Sequence, residues 1–234
     1  VARPAAEEAV VVEPANLYVR RKIAIPDLAR IAAGAKAPLA VAVTRGGEIE
    51  LVDVRTAKIV QKQRADELAL GAGPLTQAVM TPDGKYVFVE SKLKLHRLRV
   101  VDHTLVHEQA TRPIATKPGR IDVSSDGNFV SLSCETGNSE TGLRTFVFQV
   151  EDLTTPDAIL NAGMAPRTVG FDSARDKIYA QNSKFALIAF SKAGRKLQEY
   201  ALPGAGETRQ IACGRTGDVL VLTDERLLRA RRGE

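Results

Sequence analysis

Thr81-Pro82-Asp83-Gly84-Lys85-Tyr86-Val87-Phe88-Val89 and, 43 residues later, Ser124-Ser125-Asp126-Gly127-Asn128-Phe129-Val130 share one plan. Each sets a short polar turn in front of an apolar run. Proline presets φ for the turn, aspartate bonds its own turn backbone, and glycine takes the left-handed position that closes a hairpin. The Val, Tyr and Phe that follow fit a pleated surface better than a helix. The plan predicts a tight β-hairpin at both places.

Working outward, similar short runs recur along the chain. A first unit holds 39–44 (LAVAVT), the turn Arg45-Gly46-Gly47, then 48–54 and 58–63. The second holds 75–80, 85–90, 95–102 and 104–109. The third holds 120–124, 128–134, a polar loop over 135–142 (ETGNSETG) and 143–152. The fourth has 167–171, the turn Ser173-Ala174-Arg175-Asp176, then 177–181, 185–191 and 196–202. The fifth has 209–213, the turn Gly214-Arg215-Thr216-Gly217, then 218–223 and 226–231. The turn residues Gly47, Gly84, Gly127, Asp176 and Gly217 lie 37, 43, 49 and 41 residues apart. Periods near 40–50 residues with several strands per period point to an all-β repeat protein whose units each supply one sheet.

The two Asp-Gly hairpins resemble the "s-P-D-G-k-y-l-a-v" hairpin of WD-repeat and YVTN-type propellers. Val100-Val101-Asp102 and Val150-Glu151-Asp152 are similar to the end of the next strand in those families. The chain has no Trp-Asp pair and no Gly-His pair, so the broader, degenerate bacterial-type propellers are the better match. The likeness covers about residues 38–234 and implies a β-propeller of four-stranded antiparallel blades. Five units are legible. A five-bladed closed ring is the first expectation, with six blades or a fragment of a larger ring as alternatives.

Residues 1–15 (VARPAAEEAVVVEPA) read as a linker or N-terminal pairing arm, and 16–234 as the propeller domain. Residues 16–25 (NLYVRRKIAI) alternate as a strand stopped by Pro26, and they are the candidate to complete the fifth unit, which lacks an outer strand. Asp27 to Ala33 is expected to form one or two helical turns capped by Asp27 and closed by Gly34.

Composition sets bounds on function. In 234 residues the hydrophobic share is 44%, the aromatic share 5%, and tryptophan is absent. Packing therefore rests on Val, Leu, Ile and Ala. Cys134 and Cys213 form no CxxC or Cys/His cluster and are expected to be buried thiols. No run approaches the roughly 18 apolar residues of a membrane helix. No signal peptide is visible, which leans toward the cytoplasm. The first residue is Val rather than Met, so an upstream piece is expected to be missing and an extracytoplasmic site stays open.

No catalytic, cofactor-binding or metal-binding set emerges. His103 and His107 are four apart on a strand, about 13 Å, too far to share one metal. His96 stands alone in sequence, and all three read as exposed or hydrogen-bonded. Ser124, Ser125, Ser131 and Ser133 have no GxSxG elbow. Asp83, Asp102 and Asp126 serve as turn formers, and nothing singles out Asp122 or Asp172 as a channel ligand. No phosphate-binding glycine loop occurs, so no cofactor is expected.

Net charge is +5, a small basic excess. Two groupings of cations mark candidate partner-binding residues. One is Lys92, Lys94, Arg97 and Arg99. The other is Arg226, Arg229, Arg231 and Arg232, which Arg20, Arg21 and Lys22 would join if 16–25 closed the last unit. The leading expectation is a non-catalytic propeller that binds another protein as a scaffold or as a subunit of a larger assembly. The rivals are a propeller hydrolase or lactonase with a metal in its central channel, and a basic surface for nucleic-acid backbone. Nucleic acid fits less well, because no aromatics interleave with the cations for stacking.

Overall fold

The computed structural model describes residues 2–3, 7–12, 18–114, 117–135, 143–162, 168–174, 176–182, 185–202, 206–214 and 218–230. Among these residues there is no helix, hence none long and apolar enough to cross a membrane. They form six antiparallel sheets, each a meander in which sequence neighbours pair. The chain divides into two compact units, 1–111 and 112–234.

The first unit holds three sheets. β1 (Ala2–Arg3), β2 (Glu8–Val12) and β3 (Val19–Ala24) form the N-terminal one. β4 (Leu28–Ala33), β5 (Leu39–Thr44), β6 (Glu48–Asp53) and β7 (Lys58–Arg64) form the second. β8 (Ala78–Met80), β9 (Tyr86–Ser91), β10 (Lys94–Val101) and β11 (Thr104–Ala110) form the third. Strand alternation sends Val41, Val43, Ile49 and Leu51 into one core with Val87, Val89 and Leu98 of the third sheet. The opposite face of the second sheet, through Ala40, Ala42 and Val52, packs with Ala9, Ile23 and Ile25. Both faces of β5 are thus covered, which is why it reads as a nearly unbroken apolar run.

The second unit holds β12 (Lys117–Val123), β13 (Phe129–Glu135), β14 (Leu143–Gln149) and β15 (Ala158–Leu160) in one sheet. β16 (Val169–Asp172), β17 (Lys177–Gln181), β18 (Leu187–Ser191) and β19 (Lys196–Tyr200) form the next, and β20 (Thr208–Cys213), β21 (Val219–Thr223) and β22 (Leu227–Ala230) the last. The short β15 carries too few residues for an alternation signal.

The Asp-Gly turns are built as expected. Gly84 and Gly127 take φ of 76° and 79°. Asp83 accepts from the Thr81 hydroxyl at 2.6 Å and the Lys85 N–H at 3.0 Å. Asp126 repeats this with Ser124 at 2.6 Å and Asn128 at 3.0 Å. Asp176 also sits at positive φ, 53°. Arg175, the turn 215–217 and the loop 136–142 lie outside the described residues.

Three expectations change. Asp27 to Ala33 is not helical: β4 pairs along β5, Ile31 opposite Ala42, and this ladder outweighs the modest helix preference of Leu-Ala-Arg-Ile-Ala-Ala. Gly47 is not equivalent to Gly84, since it joins the second and third strands of its sheet rather than the first and second. The equivalent turn is Gly34–Ala37, where Ala37 N–H bonds the Gly34 carbonyl as Gly84 N–H bonds that of Thr81. Finally, the strand within 16–25 pairs with β2, Ala9 opposite Ile23, and among the described residues the last sheet holds only β20, β21 and β22. A partner about ten residues away closes a far smaller loop than one 200 residues away.

Candidate binding groove

Neighbouring residues on a strand normally face opposite sides. Arg20 and Arg21 nevertheless line the same groove. Arg21 lies opposite Val11 and Val19 opposite Val12, so Arg20 is the extra residue of a β-bulge that re-aims the strand. Lys36 in the β4–β5 turn and Arg55 in the β6–β7 turn complete the cationic lining. The first and third turns of a meander emerge at the same end of the sheet, and here they are tied: Val54 N–H bonds the Pro38 carbonyl at 2.8 Å. The groove is open and holds about 570 Å³.

Its walls are pinned from below. Asp53 accepts the N–H groups of Arg55 at 2.8 Å and Thr56 at 3.0 Å, and the Thr56 N–H in particular holds its carboxyl below the usual carboxylate range. Arg21 donates to the Thr56 carbonyl at 3.1 Å. Lys36 N–H reaches the Pro82 carbonyl at 2.7 Å, anchoring its loop on the Asp-Gly turn of the third sheet. Arg20 lies 5.8 Å from the ring centre of the exposed Tyr18. Among the described residues that line it there is no carboxylate. Val11 and Val54 also line an adjoining apolar cleft of about 310 Å³, with Val10, Ile23, Ile31 and Val52 deeper in its wall.

The remaining cations singled out from sequence are placed differently. Lys22 pairs with Glu8 at 3.5 Å. Arg97 turns inward: it is only 9% exposed, bonds Glu108 at 3.2 Å and stacks 4.9 Å from the Tyr86 ring. Arg99 also reaches Glu108, at 3.5 Å. Lys92 and Lys94 flank the tight β9–β10 turn, Lys92 at positive φ. Arg229 bonds Asp218 at 2.6 Å and Arg226 lies 3.9 Å from Glu225. Arg231 and Arg232 fall outside the described residues. Arg20, Arg21 and Lys22 lie on β3, whose described partner is β2.

Neither protein-family models nor curated protein sequences give a match to this chain. Solved structures do. A chain of the mitotic checkpoint complex superposes with a TM-score of 0.74 over 95% of this chain and 67% of its own length, at 9% identity. Hydrazine synthase of Kuenenia stuttgartiensis gives 0.64 over 88% of this chain and 66% of that one, at 13% identity. This chain thus spans about two thirds of each. Both neighbours are propeller structures. The fold is a β-propeller.

On this propeller several groups that could carry chemistry are engaged internally, while His103 is exposed. His96 Nδ1 lies 3.2 Å from His107 Nε2, and His96 Nε2 lies 3.3 Å from the Ser91 carbonyl. That carbonyl can only accept, so His96 carries its hydrogen on Nε2 and takes one from His107 on Nδ1. Burial pushes His96 down to about 4 and His107 in the same direction. Periodicity along one strand missed this pair, because the contact runs across β10 and β11. Asp122 accepts from Arg120 at 3.3 Å and from the Val169 N–H at 3.0 Å, linking two sheets of the second unit. Asp172 is buried. Burial pushes the Cys134 thiol up to about 11, while Cys213 is only half-buried; neither is in a disulfide. Among the described residues no group of three His, Cys, Asp or Glu stands close enough to hold a metal.

Proposed function

We propose that this propeller is a non-catalytic module that binds another protein, as a scaffold or as a subunit of a larger assembly. The supporting observation is the convergence of Arg20 and Arg21 with Lys36 and Arg55 on one open groove whose walls are strands and tied turns. Rigid elements presenting a few exposed cations lose little entropy on binding, which suits recognition of an acidic surface. A structural neighbour drawn from a multi-protein complex is in keeping with protein partners. The test is cross-linking of the purified chain in an extract of its source cell, followed by mass spectrometry. A stoichiometric protein cross-linked through the first unit is expected, and its yield should fall when ionic strength is raised from about 0.05 to 0.5 M, where the screening length drops severalfold. Turnover of lactones or esters by the same preparation, dependent on a co-purifying divalent ion, would replace this reading with the hydrolase.

A further inference from the structure

We infer that His96 and His107 form a two-nitrogen site for one divalent d-block cation, Cu²⁺ or Zn²⁺, held between β10 and β11 with water completing its coordination. The inference goes beyond the protein-binding reading and does not depend on it. It starts from the register of the two strands. Arg97 lies opposite Gln109 and Leu98 opposite His107, so Glu108 is the extra residue of a bulge. With His96 opposite Ala110, the bulge leaves the two histidines as diagonal neighbours on one face of the sheet. Their ring centres are 5.4 Å apart, the planes tilted by 52°, and His96 Nδ1 lies 3.2 Å from His107 Nε2. Two imidazole nitrogens on one ion, each about 2.0–2.1 Å from it, stand about 2.9 Å apart at a right angle and about 3.4 Å apart at the tetrahedral angle. The spacing in this pair falls inside that range. Seating an ion therefore takes a turn of the rings, not a parting of the strands.

Each ring is suited to its part. His96 donates from Nε2 to the Ser91 carbonyl at 3.3 Å, the kind of hydrogen bond that orients a ligating histidine. That bond fixes the tautomer and leaves the Nδ1 lone pair facing His107. Burial keeps the His96 ring neutral well below pH 7. His107 is half-buried, and among the described residues its ring bonds no group besides His96, so it can turn and leave a side of the ion to water. When the ion binds, the hydrogen on His107 Nε2 passes through solvent to Nδ1. Two neutral imidazoles then hold the ion, and no net proton is released at pH 7. Neutral nitrogen ligands select Cu²⁺, Ni²⁺ and Zn²⁺ and reject Mg²⁺ and Ca²⁺, which need oxygen. The charge of Lys94 acts on His96 and opposes a bound cation.

Calorimetric titration of the whole, tag-free chain at pH 7, stripped of metal with a chelator and given Cu²⁺ or Zn²⁺ alone, tests this. One ion per chain is expected, with Cu²⁺ held more tightly than Zn²⁺, the usual order for nitrogen ligands. Electron paramagnetic resonance of the Cu²⁺ complex should show coupling to two imidazole nitrogens. His107→Gln should weaken Cu²⁺ at least about tenfold, since even an outer-shell partner of a metal is worth that much. Lys94→Gln should tighten the ion, and His103→Gln, exposed on the turn of the same hairpin, should leave the affinity unchanged. Zn²⁺ should raise the thermal midpoint of the wild type and not that of His107→Gln, because an ion held by the folded chain stabilises it. Circular dichroism identifies a variant that misfolds, and the nitrogen count of the wild-type complex needs no variant. Equal Cu²⁺ affinity in a folded His107→Gln, or a wild-type complex without two imidazole nitrogens, overturns the site. Failure of the wild type to take up either ion does the same and leaves the protein-binding reading untouched.

Discussion

His96 illustrates how burial converts an ordinary side chain into a pH-dependent element. It is 5% exposed, and burial holds its folded pKa near 4 against an ordinary value of about 6.5. Between those values the unfolded chain binds a proton that the folded chain does not. Stability therefore falls as pH drops through about 6.5 toward 4, by roughly 2–3 kcal/mol, and this contribution is flat above pH 7. Urea midpoints for wild type and His96→Gln at pH 7 and 4.5 check it: the variant should lose part of the acid sensitivity, and an identical pH response would remove His96 from the account. Glu50 poses the complementary problem. Its side chain is 1% exposed and pairs with Lys62 at 3.2 Å, while Lys62 also holds Glu48 at 2.8 Å and is half in solvent. Those bonds, the one to Glu48 first, raise the lysine's own pKa. Lys62→Met would leave the Glu50 carboxylate buried without its cation, at a cost of about 1–3 kcal/mol. Lys62→Met/Glu50→Gln should recover much of that loss in a denaturant melt; no recovery would show that Lys62 acts through something other than Glu50.

The hairpin is the element that made the fold readable, because its chemistry is local. In the 81–86 turn, Thr81, Asp83 and Gly84 satisfy one another within six residues, and 124–129 repeats the bonds with Ser in place of Thr. Gly84→Val should cost roughly 2 kcal/mol or more: the backbone is in the left-handed region, and a Cβ there would stand 2.5 Å from that of Ala37. Calorimetry showing the valine variant as stable as wild type would contradict this turn assignment. β4 lacks such local chemistry. Leu-Ala-Arg-Ile-Ala-Ala carries no turn chemistry of its own, and its strand state comes from pairing with β5, ten or so residues on. With 28–33 as the first strand of its sheet, Lys36 and Arg55 fall in the first and third turns, at one end of one meander. That much of the site was in principle legible. The bulge that swings Arg20 beside Arg21 was not, because it depends on the register with β2.

At the scale of the whole molecule, the N-terminal arm separates the two kinds of information most clearly. Ala9 and Val10 are buried, Ala9 in one cluster with Ile23, Ile25 and Val52. Deleting residues 1–12 should uncover that cluster and lower the thermal midpoint by roughly 5–10 °C, since each kcal/mol moves a domain of this size by about 2–4 °C. An unchanged midpoint would return the arm to the status of a tether. The repeat, the all-β class and the propeller resemblance were all determined by the sequence alone. They rest on turn residues and alternating runs whose preferences act over two to six neighbours. Which strand partners the arm, which hairpin end carries Lys36 and Arg55 together, and that His96 meets His107 rather than solvent were decided only by tertiary structure. Those outcomes depend on register and on competition between distant partners, and both are set by how much apolar surface each arrangement removes from water.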